Sequence, residues 1–324
     1  MAADSITLSY PAHRLAALGL AGPLSTALAK YPAAPLEFDD GDPWATPLML
    51  AAGNGRADCV AILLPLSDPL VVDQDGFSAL MLAAAKGHAD CISLLLPVSN
   101  PLATSSHGRD ALMIAAGLPG PEALDCCKAL LPASNPLASN YQEKTALIFA
   151  AQAQSLQVVE LLAPVSNPRH ASASGETALL AAAAGRSVDI VAALAPLSDC
   201  FALDANGHDA IAVAAGFRRA SLIPAIIDAC AGIPGLDLSM RRAVKVCASI
   251  NETLSCSAIL NSALETLPRA GAIEIFSWAA ECFENKPFRQ QAAAAAQALR
   301  DQMELSDSLT PEPGAKPRPS SMRL

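Results

Sequence analysis

The apolar residues of the chain fall into short blocks that return at a nearly constant interval. Equivalent apolar positions lie 32 residues apart, except for one interval of 35, and they are Leu48, Leu80, Leu112, Leu147, Leu179 and Ile211. A fixed period of this length indicates a repeat architecture, in which each unit buries its apolar face against its neighbours.

Each unit predicts two helices joined by a tight loop. A residue able to cap a helix stands two positions before each of these equivalent apolar residues. The six capping residues are Thr46, Ser78, Asp110, Thr145, Thr177 and Asp209. The next run, such as LMLAAAK, carries paired alanines and predicts a short helix with close neighbours. A second run, such as DCISLLL, has apolar residues at helical spacing and predicts the second helix. Four units also place a glycine two residues before the cap, as in DQDGFS, which indicates a turn.

A segment that joins successive units occurs five times. It consists of a leucine-rich run, a proline and a Ser-Asn or Ser-Asp step, as in LLLPVSNP, which ends at Pro101. The first proline can stop the helix because its ring clashes with the preceding turn. The Asn or Asp side chain can then bind nearby backbone amides in an Asx turn. These copies are therefore interpreted as structural joints, and function is expected elsewhere.

The segment DGFSALMLAAAKGHADCISLLL, residues 75 to 96, resembles the ankyrin-repeat family, and the resemblance covers roughly residues 42 to 230. It implies an all-α fold with short β-hairpin turns, an α-solenoid of about six recognisable repeats with helical caps at both ends. The chain departs from the family pattern in three ways. Met49, Met81 and Met113 replace the family's histidine, so packing must replace its hydrogen bond. Trp44, Glu143 and Gln154 stand where glycine is expected, which predicts less regular loops. The third repeat carries three extra residues, placed between its two helices.

Four segments are expected along the chain. Residues 1–36 form an N-terminal helical cap, and residues 37–232 form the ankyrin repeats. Residues 233–304 form C-terminal helices, either degenerate repeats that continue the stack or a separate capping module. The Pro-rich residues 305–324 form a disordered tail.

Composition narrows the classes of function. The chain has 31 acidic and 21 basic residues, a net charge of −10 and no basic stripe, so nucleic acid is not an expected partner. No apolar stretch is long enough to predict membrane insertion. The nine cysteines form no CxxC pair, and Cys59, Cys91 and Cys126 occupy equivalent places, which favours core thiols in a reducing compartment.

Catalytic motifs are missing from the sequence, so we expect a protein that is not an enzyme and has no cofactor and no metal. Catalysis in the C-terminal helices is a remote alternative, because Cys247, Cys256 and Cys282 lack a nearby histidine in sequence. His107, His170 and His208 fall in successive hairpin regions and could form a ladder with Asp204. Such a row favours a binding surface over a metal site.

The family resemblance implies a protein partner bound by the hairpin tips and the exposed ends of the first helices. The candidate partner-binding residues are Gln74, Asp75, Phe77, Lys86, Ser106, His107, Arg109, Tyr141, Gln142, Lys144, Gln152, Ser174, Glu176, Asn206, His208, Phe217 and Arg218. We expect a monomeric cytoplasmic scaffold or adaptor that binds another protein through this concave face. The alternative is a bacterial secreted effector with ankyrin targeting repeats, exported into a host cell cytosol. It is suggested by the basic last residues KPRPSSMRL.

Overall fold

The computed structural model describes residues 12–30, 45–231 and 233–309. Within these ranges the chain is helical, and β structure is limited to three isolated antiparallel bridges, Val72 with Ser78, Ser139 with Thr145 and Ala171 with Thr177. The chain divides into two compact units, Met1–Ala210 and Ile211–Leu324. The expected segment boundaries at residues 36, 232 and 304 remain predictions.

The first unit is a stack of helix pairs. Two helices precede the repeats, α1 (Ala12–Leu18) and α2 (Ala21–Lys30). Five repeats follow, with helices α3 (Pro47–Gly53) and α4 (Ala57–Leu63), α5 (Ala79–Ala85) and α6 (Ala89–Leu95), α7 (Ala111–Ala116) and α8 (Glu122–Leu130), α9 (Ala146–Gln152) and α10 (Leu156–Leu162), α11 (Ala178–Ala184) and α12 (Val188–Leu194).

The helices of the first unit form two rows. The row of first helices runs from α1 through α3, α5, α7 and α9 to α11, each packed on the next. The row of second helices runs in the same way from α2 to α12. The alanine pairs of the first helices are fully buried, as at Ala83 and Ala84, and this lets adjacent helices approach closely. Met49, Met81 and Met113 are also buried, which fits the expected replacement of a hydrogen bond by packing.

The predicted caps lie at the starts of the first helices. The side chains of Thr46, Ser78, Asp110 and Thr177 each accept a hydrogen bond from the amide three residues further on. Thr145 stands at the equivalent position with extended backbone, but its buried Oγ1 has no hydrogen-bond partner among the described residues. The prediction that Thr145 caps α9 through its side chain is therefore wrong.

The repeated joint folds as predicted in all five copies. The second helices end two residues before the proline, for example at Leu95 before Pro97. The Asn or Asp side chain then accepts a hydrogen bond from the amide two residues ahead, at 2.9 to 3.1 Å, from Asp68, Asn100, Asn135, Asn167 and Asp199. The joint thus ends one helix and starts the next hairpin, and its Asn or Asp side chain is used in the turn.

Two of the three positions that lack the family glycine keep a regular backbone. Glu143 has φ 59° and Gln154 has φ 58°, in the left-handed region that Gly76 (76°) and Gly87 (79°) occupy in the second repeat. The prediction of less regular loops there is wrong, because the neighbouring repeats impose the conformation even without glycine. Trp44 lies outside the described residues. The three extra residues of the third repeat lengthen both the loop before Glu122 and helix α8, so they lie only partly in the loop where the sequence placed them.

The second unit is built from longer helices. After α13 (Ala210–Gly216) and α14 (Ile223–Ala229) come α15 (Leu236–Ser249), α16 (Thr253–Thr266), α17 (Arg269–Cys282) and α18 (Lys286–Leu309). Within this unit α14 packs on α16 and α15 packs on α17, so alternate helices are in contact. Helix α18 continues to Leu309, so residues 305–309, which the sequence assigned to the tail, are helical. Residues 310–324 lie outside the described residues.

Candidate protein-binding site

Five hairpin tips of identical backbone geometry project from the first unit. They are residues 73–77, 105–109, 140–144, 172–176 and 204–208, and each precedes the first helix of repeats two to six. In every tip the first residue donates its amide to the carbonyl of the last, as Asp73 does to Phe77 at 3.0 Å. The side chain of the first residue also accepts the amide of the last, as Asn140 Oδ1 does from Lys144 at 2.9 Å. The first and last residues of each tip are therefore bonded to each other within the tip.

Neighbouring tips are joined by backbone hydrogen bonds. The amide of Ser106 donates to the carbonyl of Asp75, Ala173 donates to Gln142, and Ala205 donates to Ser174, at 2.8 to 2.9 Å. The equivalent bond between the third and fourth repeats, from Tyr141 to His107, is absent. The tips thus form one edge with a single interruption.

A recess opens at that interruption. It has a volume of about 260 Å³ and is lined by Ser106, His107, Arg109, Asn140, Tyr141, Gln142 and Phe149. Five of these seven residues are among the predicted partner-binding residues. Tyr141 is 75% exposed, and its ring lies against Gly108, where an added Cβ would come within 2.7 Å of Tyr141 Cδ1. Glycine at this position therefore lets the aromatic ring form one wall of the recess.

Arg109 lines the recess and lies over the aromatic ring of Phe149. Its guanidinium carbon lies 5.6 Å from the ring centroid, within the range of a cation–π contact. The guanidinium makes no ion pair and no side-chain hydrogen bond with any residue that the structure describes. In contrast, Lys144 and Arg218 each pair with a glutamate. A half-buried positive charge is thus left available to a partner.

Three other predicted residues bind one another. The carboxylate of Glu176 accepts a hydrogen bond from Gln152 Nε2 at 2.8 Å and pairs with Lys144 Nζ at 2.7 Å. These contacts join the fourth and fifth repeats and neutralise both charges. The sequence placed all three residues on the binding face, and the structure brings them together in a network that is already satisfied.

The remaining predicted residues lie at other parts of the same edge or outside it. Gln74, Asp75 and Phe77 belong to the second-repeat tip, and Ser174 belongs to the fifth. Lys86 ends helix α5, away from the tips. Asn206 and His208 belong to the sixth-repeat tip, where both bind the carboxylate of Asp204. Phe217 and Arg218 lie in the second unit, where Phe217 is exposed and Arg218 pairs with Glu252.

The three hairpin histidines do not form a ladder. His107 Nδ1 hydrogen bonds Ser106 Oγ at 3.2 Å, and His170 Nε2 donates to the carbonyl of Glu143 at 2.7 Å. His208 faces Asp204 in its own tip. Within residues 12–30, 45–231 and 233–309, no group of histidine, cysteine and acidic side chains could hold a metal ion.

Sequence reasoning missed two residues of the recess. Asn140 occupies the place that Asp73 and Asp204 hold in their tips, so an alignment of the tips themselves would have found it. When the repeats are aligned, Phe149 is equivalent to Leu50, Leu82 and Ile114. An aromatic residue at a position that is aliphatic in these repeats was the sequence signal that could have identified it.

The cysteines of the described residues are core thiols. All are free, and each is buried except Cys282, which is partly exposed. Burial, together with the charge of Asp90, raises the pKa of Cys91 to about 11. A hydrogen bond with Cys247, together with burial, raises the pKa of Cys256. The thiols of Cys91 and Cys256 therefore stay neutral at ordinary pH and are poor nucleophiles.

Comparison with known proteins identifies the repeats. Residues 28–105 and 48–141 match a family model described as ankyrin repeats in three copies. The human ASB11 ankyrin repeat domain has a similar fold, with a TM-score of 0.61 at 23% identity, over 68% of this chain and 97% of that one. The ankyrin repeat domain of Bcl-3, a member of the IkappaB family, gives a TM-score of 0.55 at 22% identity, over 67% of this chain and 98% of that one. No curated protein matches the sequence.

Residues 28–141 therefore match ankyrin repeats, and the stack of helix pairs has the all-α solenoid fold of ankyrin repeat domains. Ankyrin repeats generally serve as protein–protein interaction modules. Among the described helices, none combines the length and the apolar character needed to span a bilayer.

Proposed function

We propose that the chain is a protein-interaction module that binds one protein partner along the hairpin tips and the adjoining first helices. The observation that carries the proposal is the tip edge itself. Its backbone groups are bonded within and between tips, while Tyr141 and the guanidinium of Arg109 remain free. A face that is rigid before binding loses little conformational entropy on binding, and Tyr and Arg are the residues that most often dominate binding energy.

The exposed faces of the second helices are less suited to a partner. The second helices expose single apolar residues such as Leu94, at 38%, beside charged residues such as Lys128 and Glu160. Scattered apolar residues of this kind are ordinary on a protein surface. The tip edge instead combines an exposed aromatic ring, a recess and an unpaired cation.

A capture experiment with matched variants tests the proposal. The intact protein, the double variant Phe77→Ala with Tyr141→Ala, and the control double variant Lys128→Ala with Glu160→Ala serve as baits in lysate of the cells that produce the chain. Proteins that bind the wild type and the control but not the tip variant support the proposal. If every captured protein binds all three baits equally, the tip edge is not the binding face.

The thermal melts of the three baits provide the folding control. Tyr141 is mostly exposed and Phe77 is partly exposed, so their truncation removes little core packing. The tip variant should melt within a few degrees of the wild type. We further propose that the chain acts as a scaffold or adaptor in the cytoplasm. This role requires that a second protein be captured together with the first partner.

A further inference from the structure

The recess between the third and fourth repeats is small. Pockets for small-molecule ligands usually have volumes of about 300 to 1,000 Å³, and this one has about 260 Å³. Its walls are the tips of the two repeats, and its lining includes Arg109 and Phe149. It is open on the same edge that we propose as the partner-binding face, and the inference below rests on that proposed function.

The polar groups of the recess are mainly hydrogen-bond donors. The Arg109 guanidinium lies over the Phe149 ring and makes no ion pair or side-chain hydrogen bond with the described residues, so its N–H groups remain for a ligand. Asn140 uses its Oδ1 to accept the amides of Gln142 and Lys144, which leaves its Nδ2 as the free group. The amide of Tyr141 lacks the backbone acceptor that the equivalent amides of Ser106, Ala173 and Ala205 have.

The charge of the recess is opposite to that of the chain. The net charge is −10, yet none of the seven lining residues is acidic. The nearest acidic residues in the tip sequences, Asp75 and Glu143, are exposed and do not line the recess. A single planar cation with flanking amides matches a carboxylate, which binds guanidinium groups through two parallel hydrogen bonds. A phosphate group would ordinarily require more than one permanent cation.

We propose that this recess binds the side chain of a glutamate or aspartate residue of the protein partner. The carboxylate lies against the edge of the Arg109 guanidinium, and the Tyr141 ring covers the aliphatic part of the acidic side chain. The recess thereby selects partners that present an acidic residue.

The test uses a displayed library of random twelve-residue peptides, selected on the full chain. Peptides that bind the wild type and lose binding to the Tyr141→Ala variant are synthesised, and their affinities are measured by titration. The proposal predicts that these peptides share an acidic residue. Changing it to Gln or Asn, or changing Arg109→Gln in the protein, should each weaken binding by at least about tenfold, as expected for a charge-assisted hydrogen bond.

Two controls make the result specific. The matched control Arg169→Gln removes an exposed arginine that does not line the recess, and it should leave the affinities unchanged. Combining Arg109→Gln with the peptide's Glu→Gln change should cost no more than either change alone, because both remove the same contact. The peptide change leaves the protein untouched, so a folding defect cannot explain its effect.

The outcomes separate this inference from the proposed function. If selected peptides depend on Tyr141 but carry no shared acidic residue, or are insensitive to Arg109→Gln, the tips bind partners and the acidic-side-chain inference is wrong. If the selected peptides are insensitive to both Tyr141→Ala and Arg109→Gln, the tip edge is not a peptide-binding face and both proposals fail.

Discussion

Replacing Gln154 and Glu143 by glycine, one at a time, gives two changes in the free energy of unfolding that can be compared directly. Both residues are non-glycine residues held in the left-handed region at nearly the same φ. That conformation costs an L-residue about 1–2 kcal/mol, and replacement by glycine recovers part of it after the loss of chain entropy. The backbone term is therefore a gain of about 0.5–1 kcal/mol for either substitution. The contacts of the two side chains therefore decide how the stability effects of the two substitutions differ.

Gln154 holds the next repeat, whereas the Glu143 side chain makes no contact of this kind. Gln154 Oε1 accepts the amides of Arg186 and Ser187 at 2.9 and 3.1 Å, and its Nε2 donates to the carbonyl of Ala151 at 2.7 Å. Three hydrogen bonds of about 1 kcal/mol each outweigh the backbone gain. We expect Gln154→Gly to lower the free energy of unfolding by about 2–2.5 kcal/mol and Glu143→Gly to raise it by about 0.5–1 kcal/mol.

Urea unfolding followed by circular dichroism measures both changes under the same conditions. Gly175→Ala is the reference for a strained tip, because an added Cβ would lie 2.7 Å from the carbonyl oxygen of Leu203 at φ 74°, and it should be strongly destabilising. If both glycine substitutions move the midpoint in the same direction by similar amounts, the Gln154 side chain does not stabilise the junction between the fourth and fifth repeats.

Three further predictions follow from the caps and the core. Thr145→Val should raise the free energy of unfolding by about 1 kcal/mol, because it removes an unbonded buried hydroxyl. Thr177→Val should lower it by about 1 kcal/mol, because it removes a helix cap. Equal effects of the two changes in urea unfolding would contradict the conclusion that Thr177 caps its helix and Thr145 does not. Burial raises the pKa of Asp110, so the ionised carboxylate destabilises the folded protein near pH 7, and Asp110→Asn should stabilise it there. The benefit should disappear below about pH 4, where Asp110 is protonated in both states, and thermal melts across pH would show this. Burial, with Cys126 beside it, raises the pKa of Cys127 to about 12, so the folded protein keeps a proton that the unfolded chain loses. Stability should fall as the pH rises above about 9, and less steeply in Cys127→Ala when urea midpoints are compared.

The architecture could be predicted because it depends on local signals that recur. The Pro and Asn/Asp steps of the joints act within a few residues, and all five fold as predicted. The predictions that failed concern effects of neighbouring repeats. Glu143 and Gln154 take a glycine-like backbone because the repeats before and after them are already fixed in that geometry.

The location of the candidate site on the tips could be predicted from the sequence, but the contacts of its side chains could not. Its edge follows from the family resemblance, so most of the named residues do lie on the tips. Which of them are already bonded depends on side chains of different repeats, such as Gln152 with Glu176, 24 residues further on, and periodicity alone does not give such pairs. The recess itself depends on the pairing of Arg109 with Phe149 across two repeats.

Site-specific photo-crosslinking tests the central claim most directly. A photoreactive phenylalanine analogue replaces Tyr141 on the tip edge in one sample and Lys128 on the exposed side of α8 in another, and each protein is irradiated with lysate of its source cells. The proposed function predicts a discrete crosslinked product from position 141 and none from position 128. A product from position 128 alone would place the partner on the second helices and contradict the proposal.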